Sequence, residues 1–308
     1  MNITIVGPGA IGSLFYYLLS KKVKSLTLLD KDPERAASLR KKGLTVLKDS
    51  KIFKIPLNIT SDPARLKDTG LFIICVKSYD TLKAAEFIKP ACKEKSFVLS
   101  VQNGLGNLEM LSEILGEKKI LGAVTYKAST LLNPGIIKYT ADGQTVLGKK
   151  RKKVPAVLRE IRSLFNSAEI PTSISKDLDS VIWSKLIINS AINPLTAVLR
   201  VKNGGLLKSN QARLLMQMAG SEVERVAKRK RVKLLYDDIQ TKLEAVCRAT
   251  SENISSMFQD ILTHKKTEID ALNGAVYRLG QSLKIPTPIN FLLYNLVKSL
   301  EKSYPQAV

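Results

Sequence analysis

The chain has 308 residues, 44% hydrophobic and 25% charged, a composition that excludes a disordered protein. Its net charge of +22 suits anionic ligands, although short lysine runs such as LGKKRKKVP (147–155) and VAKRKRVKL (226–234) are also ordinary solvated surface. A single histidine excludes a multi-histidine metal site, and three widely spaced cysteines show no metal or redox spacing, so no metal is expected and proton transfer falls to Lys, Tyr, Asp or Glu.

In chain order, ITIVG (3–7) predicts a short buried strand, Ala10 to about Leu19 a helix, and LTLLD (26–30) a second strand. Asp32-Pro33-Glu34 has the form of a helix start, with Asp32 as N-cap and Pro33 in the first turn. Strand-like runs follow at 71–76, 97–101 and 120–126, with helical patterns at 62–66 and 105–115. Strands alternating with helices predict a parallel sheet covered on both faces. Beyond residue 130, Asn133-Pro134-Gly135 predicts a turn, and GIIKYTADGQTVLG (135–148) predicts a hairpin turning at Asp142-Gly143. From Asp177 the pattern is almost wholly helical, with candidates at 177–193, 209–230, 236–248, 266–283 and 288–302. The expected class is α/β: a Rossmann-type dinucleotide-binding domain over 1–172, then an all-helical substrate and catalytic domain over 173–308. The N-terminus lacks a basic signal-peptide region, and no run reaches the ~18 uninterrupted apolar residues of a membrane span. A cytoplasmic protein without a membrane partner is the expectation.

Gly7-x-Gly9-x-x-Gly12 follows a strand and opens a helix, the context in which this pattern signifies a dinucleotide. The first glycine permits the turn, the second admits the pyrophosphate, and the third lets helix and strand pack. The cofactor-binding loop is therefore Gly7, Pro8, Gly9, Ala10, Ile11 and Gly12. Ribose recognition belongs at Asp30-Lys31, where the signal is split. An aspartate there binds the hydroxyls of NAD(H), whereas a cation favours the 2′-phosphate of NADP(H).

The sharpest chemistry lies in VIWSKLIINSAINPLTAVL (181–199). Lys185, Asn189 and Asn193 are four apart each time, and two such steps advance only about 80° around a helix, so the three share one stripe. Apolar neighbours would desolvate the lysine, lower its pKa and make it a better proton donor. The same spacing also fits a snorkelling lysine with two packing asparagines. In ENISSMFQDILTHKKTEIDALNG (252–274), Asn253, Ser256 and Glu268 form a second polar set, although Glu268 by itself reads as a surface helix residue.

Taken together, GPGAIG, VKSYD, SVQNGLGN, WSKLIINSAINPLTAV, VKNG, ENISSM and KTEIDALNG resemble the ketopantoate reductase (2-dehydropantoate 2-reductase) family, in order, from residue 1 to about residue 290. The resemblance implies hydride transfer from NADPH to ketopantoate, yielding pantoate for pantothenate and coenzyme A synthesis. It further implies Lys185 as catalytic acid and Glu268 as its partner carboxylate. Asn189, Asn193, Asn203 and Asn253, with Ser256, fall to the substrate, Asn103 to a place beside nicotinamide and substrate, and Lys77 to the cofactor region. Two departures touch the cofactor alone: Asp80 stands where that family usually has glutamine, and Lys31, after Asp30, where it usually has arginine. NADP(H) is favoured by the resemblance and NAD(H) is left open by Asp30. A keto acid is the expected partner, with no nucleic acid, and a homodimer is expected by analogy. The rivals are a reductase of another 2-keto acid or imine and, outside enzymes, a dinucleotide-sensing or nucleic-acid-binding protein using the positive charge.

Overall fold

The computed structural model describes residues 1–150 and 155–304; the middle of the 147–155 basic run lies outside the described residues. The chain divides into two compact units, one of residues 1–102 and 107–178, the other of residues 103–106 and 179 onward.

In the first unit the order is β1 (Ile3–Val6), α1 (Ala10–Ser20), β2 (Leu26–Leu29), α2 (Pro33–Lys42), β3 (Leu44–Lys48), β4 (Lys51–Ile55), β5 (Ile59–Thr60) and β6 (Leu71–Ile74). Then come α3 (Thr81–Ile88), β7 (Phe97–Ser100), α4 (Asn107–Leu115), β8 (Ile120–Thr125), β9 (Ala128–Asn133), β10 (Ile136–Ala141), β11 (Thr145–Gly148), α5 (Ala156–Ser167) and β12 (Thr172–Ile174). Eight strands form one sheet in the order β12-β11-β8-β7-β6-β1-β2-β5. All neighbours are parallel except β8 and β11. The chain adds β2 and β5 on one side of β1 and then crosses to β6 on the other. The loop after β1 thus stands at the point where strand order reverses, the place where open α/β sheets bind ligands. The expected Rossmann-type α/β architecture is present.

A second sheet, β4-β3-β10-β9, was not foreseen. Its β3–β4 hairpin turns on Asp49 and Ser50, both at positive φ, the geometry of a two-residue type I′ turn in a sequence without the usual Asn-Gly signature. The hairpin expected at Asp142-Gly143 does not form. β10 pairs with β3 and β9, while β11 pairs with β8 and β12 in the other sheet. The true hairpin is β9–β10, turning at Asn133-Pro134-Gly135. Gly143 serves a close approach instead, since a Cβ there would lie 2.4 Å from the Tyr126 carbonyl oxygen. The second sheet covers α1, with Phe53 against Tyr17 and the Ser129 hydroxyl donating to the Ala10 carbonyl. Gly12 through Leu19 are consequently buried.

The second unit is helical: α6 (Leu178–Leu199), α7 (Asn210–Arg229), α8 (Ile239–Ala249), α9 (Ser256–Leu262), α10 (Asn273–Leu283) and α11 (Pro288–Ser303). Its core gathers Trp183, Leu186, Ile187, Met216, Val223 and Leu243, among others, around α6. By length and apolar composition α6 could cross a membrane, yet 72% of its apolar window is buried inside the protein, as suits a core helix. Two expectations need correction here. α6 does not stop at residue 193 but continues through Pro194 to Leu199, and the helix expected over 266–283 begins only at Asn273. Residues 266–272, Glu268 included, are a turn preceding α10.

A buried cation in the first unit supplies a stability test. The Lys127 side chain is fully buried, bonded to the Tyr139 hydroxyl at 2.8 Å and ion-paired to Asp142. Breaking such a pair from one side strands the buried charge, whereas removing the charge itself does not. Asp142→Asn should lower unfolding free energy in urea by about 1–3 kcal/mol, discounted for the exposure of Asp142. Lys127→Met should cost less than Asp142→Asn, and the reverse order would show that the ammonium is not held by this pair.

Candidate active site

The first unit carries the glycine turn. Gly7 follows β1 at φ +103°, and a Cβ there would meet Val76 Cγ1 at 2.8 Å. At Gly12 a Cβ would stand 2.0 Å from the Gly7 carbonyl oxygen, so only glycine lets α1 pack so tightly on the turn. Around Gly9 nothing lies within 4 Å of the Cβ position, which is the open approach a pyrophosphate requires. Gly9 is the N-cap of α1 without a side-chain cap, and no acidic residue stands in the first turn, so the helix presents its first N–H groups and positive dipole end to an anion. The loop from Gly7 to Gly12, with Pro8, Ala10 and Ile11 between, thus fits a dinucleotide.

At the end of β2, Asp30 is 1% exposed and both of its oxygens are taken. Arg35 Nε and Nη2 donate to them at 2.6 and 2.5 Å, and the Asp32 backbone N–H adds a third bond at 3.1 Å. The bonds and charge of Asp30 raise the pKa of Arg35. Lys31, largely exposed, pairs instead with Asp80 at 3.1 Å, so the two residues that depart from the family pattern meet each other. Lys77 precedes the short helical turn Ser78–Asp80 beyond β6, and its carbonyl accepts from the Asp80 N–H. Gln102 fixes that loop by donating to the Val76 carbonyl and Thr81 Oγ1.

The second unit carries the lysine stripe. Ser184 anchors α6 by accepting from the Leu235 N–H at 2.9 Å, and its carbonyl accepts from the Tyr236 hydroxyl at 2.7 Å. Beside it Lys185 and Asn189 are half-buried and Asn193 is buried. Desolvation lowers the Lys185 pKa to about 8, and the negative charge of Glu268, itself 8% exposed, acts in the opposite direction. Lys185 is thus a cation on a core helix that feels a buried carboxylate.

Residues 103–106 belong to this unit: the Leu105 N–H donates to the Ala271 carbonyl at 2.9 Å, and a Cβ on Gly104 (φ +83°) would lie 2.5 Å from the same oxygen. Asn103 is thereby held against the turn that carries Glu268. Ser255 caps α9, and its hydroxyl pairs with Thr196 Oγ1 of α6 at 2.7 Å, leaving the neighbouring Ser256 and Asn253 exposed. Asn203 is buried, with Nδ2 donating to Thr250 Oγ1 and its backbone N–H to the Asn253 carbonyl. Sequence reasoning missed Arg35 and Thr196. A cation five residues after Asp30 and a threonine three after Asn193 were the available signals.

The profile described as Ketopantoate reductase PanE/ApbA matches residues 3–152, and that of its C-terminal domain matches residues 177–301. The chain belongs to the ketopantoate reductase family. The 2-dehydropantoate 2-reductase of Pyrococcus abyssi is 35% identical over 302 residues, covering 98% of each chain. A PanE/ApbA family ketopantoate reductase from Ralstonia eutropha superposes with a TM-score of 0.90 at 30% identity, covering 98% of this chain and 99% of that one. A D-mandelate dehydrogenase solved with NADH and anilino(oxo)acetate reaches 0.93 at 25% identity, with the same coverage. The ketopantoate reductase family is NAD(P)-dependent, which agrees with the glycine turn found here.

The contact at Gly12 is directly testable. Gly12→Ala should abolish dinucleotide binding, read as loss of protein-to-nicotinamide fluorescence transfer, because α1 must move off the turn. Binding within a few-fold of wild type would show that the turn tolerates the shift.

Proposed function

We propose that this chain reduces ketopantoate to pantoate with NAD(P)H, Lys185 serving as proton donor. The dinucleotide, held along Gly7–Gly12, supplies the hydride. The Lys185 ammonium stabilises the negative charge that grows on the carbonyl oxygen and then transfers its proton there. Glu268 keeps the ammonium in place. Asn103, Asn189, Asn193, Asn203, Asn253 and Ser256 are assigned to the keto acid, with the exposed Ser256 and Asn253 available to its carboxylate and hydroxyl. The observation that carries the reading is the lysine pKa of about 8 on a core helix beside a buried carboxylate. An aryl 2-keto acid as substrate is the second reading, favoured by the likeness to D-mandelate dehydrogenase. Turnover with the aryl acid but not with ketopantoate would decide for it.

For the cofactor, the saturation of Asp30 by Arg35 supports NADPH. A carboxylate with both oxygens engaged has little left for ribose hydroxyls, and Lys31 and Arg35 at the same strand end, paired here with Asp80 and with Asp30 and Asp32, are the cations a 2′-phosphate would draw on. Lys77 is assigned to the cofactor as well.

General-acid catalysis is worth roughly 10²–10⁴ in rate, so Lys185→Ala should lose at least about a hundredfold in kcat with dinucleotide affinity retained. A variant within threefold of wild type would remove the lysine from the mechanism. Because the donor must be protonated, kcat/KM for reduction should be flat at lower pH and fall as pH rises through about 8. An activity that increases across that range would contradict the assignment.

A charge-assisted phosphate contact is worth about 1.5 kcal/mol or more, so Lys31→Ala should raise the NADPH KM about tenfold and leave that of NADH within twofold. Equal effects on the two cofactors would show that Lys31 does not read the 2′-phosphate.

A further inference from the structure

The active helix contains a defect that another element repairs. Pro194 lies inside α6, which continues unbroken on either side of it. Proline has no N–H, so the Ser190 carbonyl loses its intrahelical donor, and the ring crowds that same carbonyl outward. A buried carbonyl without a donor is costly. Here the donor comes from Asn273, the first residue of α10, whose Nδ2 reaches the Ser190 oxygen at 2.9 Å.

Asn273 is fixed in turn. Its Nδ2 also donates to Asn290 Oδ1 at 2.9 Å. Asn290 Nδ2 donates to Glu222 Oε2 at 2.8 Å and to the Ala219 carbonyl at 3.1 Å. The two Glu222 oxygens accept the N–H groups of Ile289 and Asn290, each at 2.9 Å, at the start of α11. Asn273 and Asn290 have no exposed surface and Glu222 is 3% exposed. The chain of bonds therefore runs from α7 and α11 through α10 to the one turn of α6 lying between Asn189 and Asn193.

Among the described residues, neither Asn273 Oδ1 nor Ser190 Oγ has a hydrogen-bond partner. Both bonds from the Asn273 amide nitrogen are engaged, one on the α6 carbonyl and one on Asn290.

We propose that Asn273, oriented by Asn290 and Glu222, is a positioning residue for the reaction: by holding the Ser190 carbonyl it fixes Asn193 in register with Lys185 and Asn189. This rests on the reading of α6 as the helix that meets the keto acid. Without the bond, the proline turn loosens and the stripe loses its common alignment, so binding of the keto acid suffers before the proton donor does.

The test is a double-mutant cycle. Asn273→Ala should raise the keto acid KM about tenfold, with a smaller change in kcat, an unmoved alkaline limb of the pH profile and unchanged dinucleotide affinity. A merely structural role would reduce the active fraction and leave KM alone. Pro194→Ala restores the N–H that Ser190 needs, so Asn273→Ala introduced into that background should change KM by less than threefold. Equal KM effects in the two backgrounds, or no KM effect in either, would overturn the proposal. Asn273→Ser takes the place of the alanine variant in the same cycle if the latter does not fold. Lys185→Ala measured alongside separates the two claims: its full turnover would defeat the reading of α6, while an inactive Lys185→Ala beside an unaffected KM would defeat the role of Asn273 alone.

Discussion

An ammonium on a helix that must otherwise serve as core is the constraint around which the second unit is organised. α6 itself contributes Trp183, Leu186, Ile187, Ala191 and Ile192, all within 3% of complete burial, to the core of the unit. Burying Lys185 among them opposes its charge, which is why its pKa falls. The charge of Glu268 acts against that fall, and the ammonium remains ionised near neutrality with a pKa of about 8. Solvation and charge oppose each other on one side chain, and their balance sets where it titrates.

The first unit separates the demands of packing from those of binding. Gly7 and Gly12 are required by contacts inside the fold, Gly7 against Val76 and Gly12 against the turn itself. Gly9 is required by neither, and its surroundings are open. The same separation holds at the end of β2. Asp30 is spent internally on Arg35, which also faces Asp32, and Lys31 is paired with Asp80, so each cation at that edge has a carboxylate partner inside the fold.

Much of this was legible in the residues because the signals were local. Strand, glycine turn and helix at 3–20 follow from periodicity and from the roles of three glycines, and the Asp32-Pro33 helix start is present with its side-chain cap on the Arg35 N–H. The stripe of Lys185, Asn189 and Asn193 follows from helical geometry alone. What was illegible depended on distant partners. β4, KIFKI, is mostly exposed and lacks alternation, so nothing in it announces a strand until β3 pairs with it. Asp142-Gly143 has the composition of a hairpin turn, yet tertiary packing against Tyr126 makes it a crossover between sheets. Glu268 has helical neighbours in sequence but sits in a turn, and that turn brings it toward Lys185 in a way no spacing rule expresses.

Pro194 illustrates the limit most clearly. By local rules it should end α6 at about residue 193, since an interior proline costs a helix about 3 kcal/mol or more. The helix continues because its losses are met from outside: Asn273 supplies the missing donor, and Thr196 ties the following turn to Ser255 at the start of α9. Conflicts between local preference and global fold tend to survive where function needs them. Here the freed carbonyl, at Ser190, falls between Asn189 and Asn193 of the polar stripe, on a helix that carries both core residues and Lys185. A straight, self-sufficient helix would need neither Asn273 nor the buried carboxylate of Glu222 behind it. Because these groups are buried together and bonded in series, the turn at Ser190 is held from α7, α10 and α11 at once.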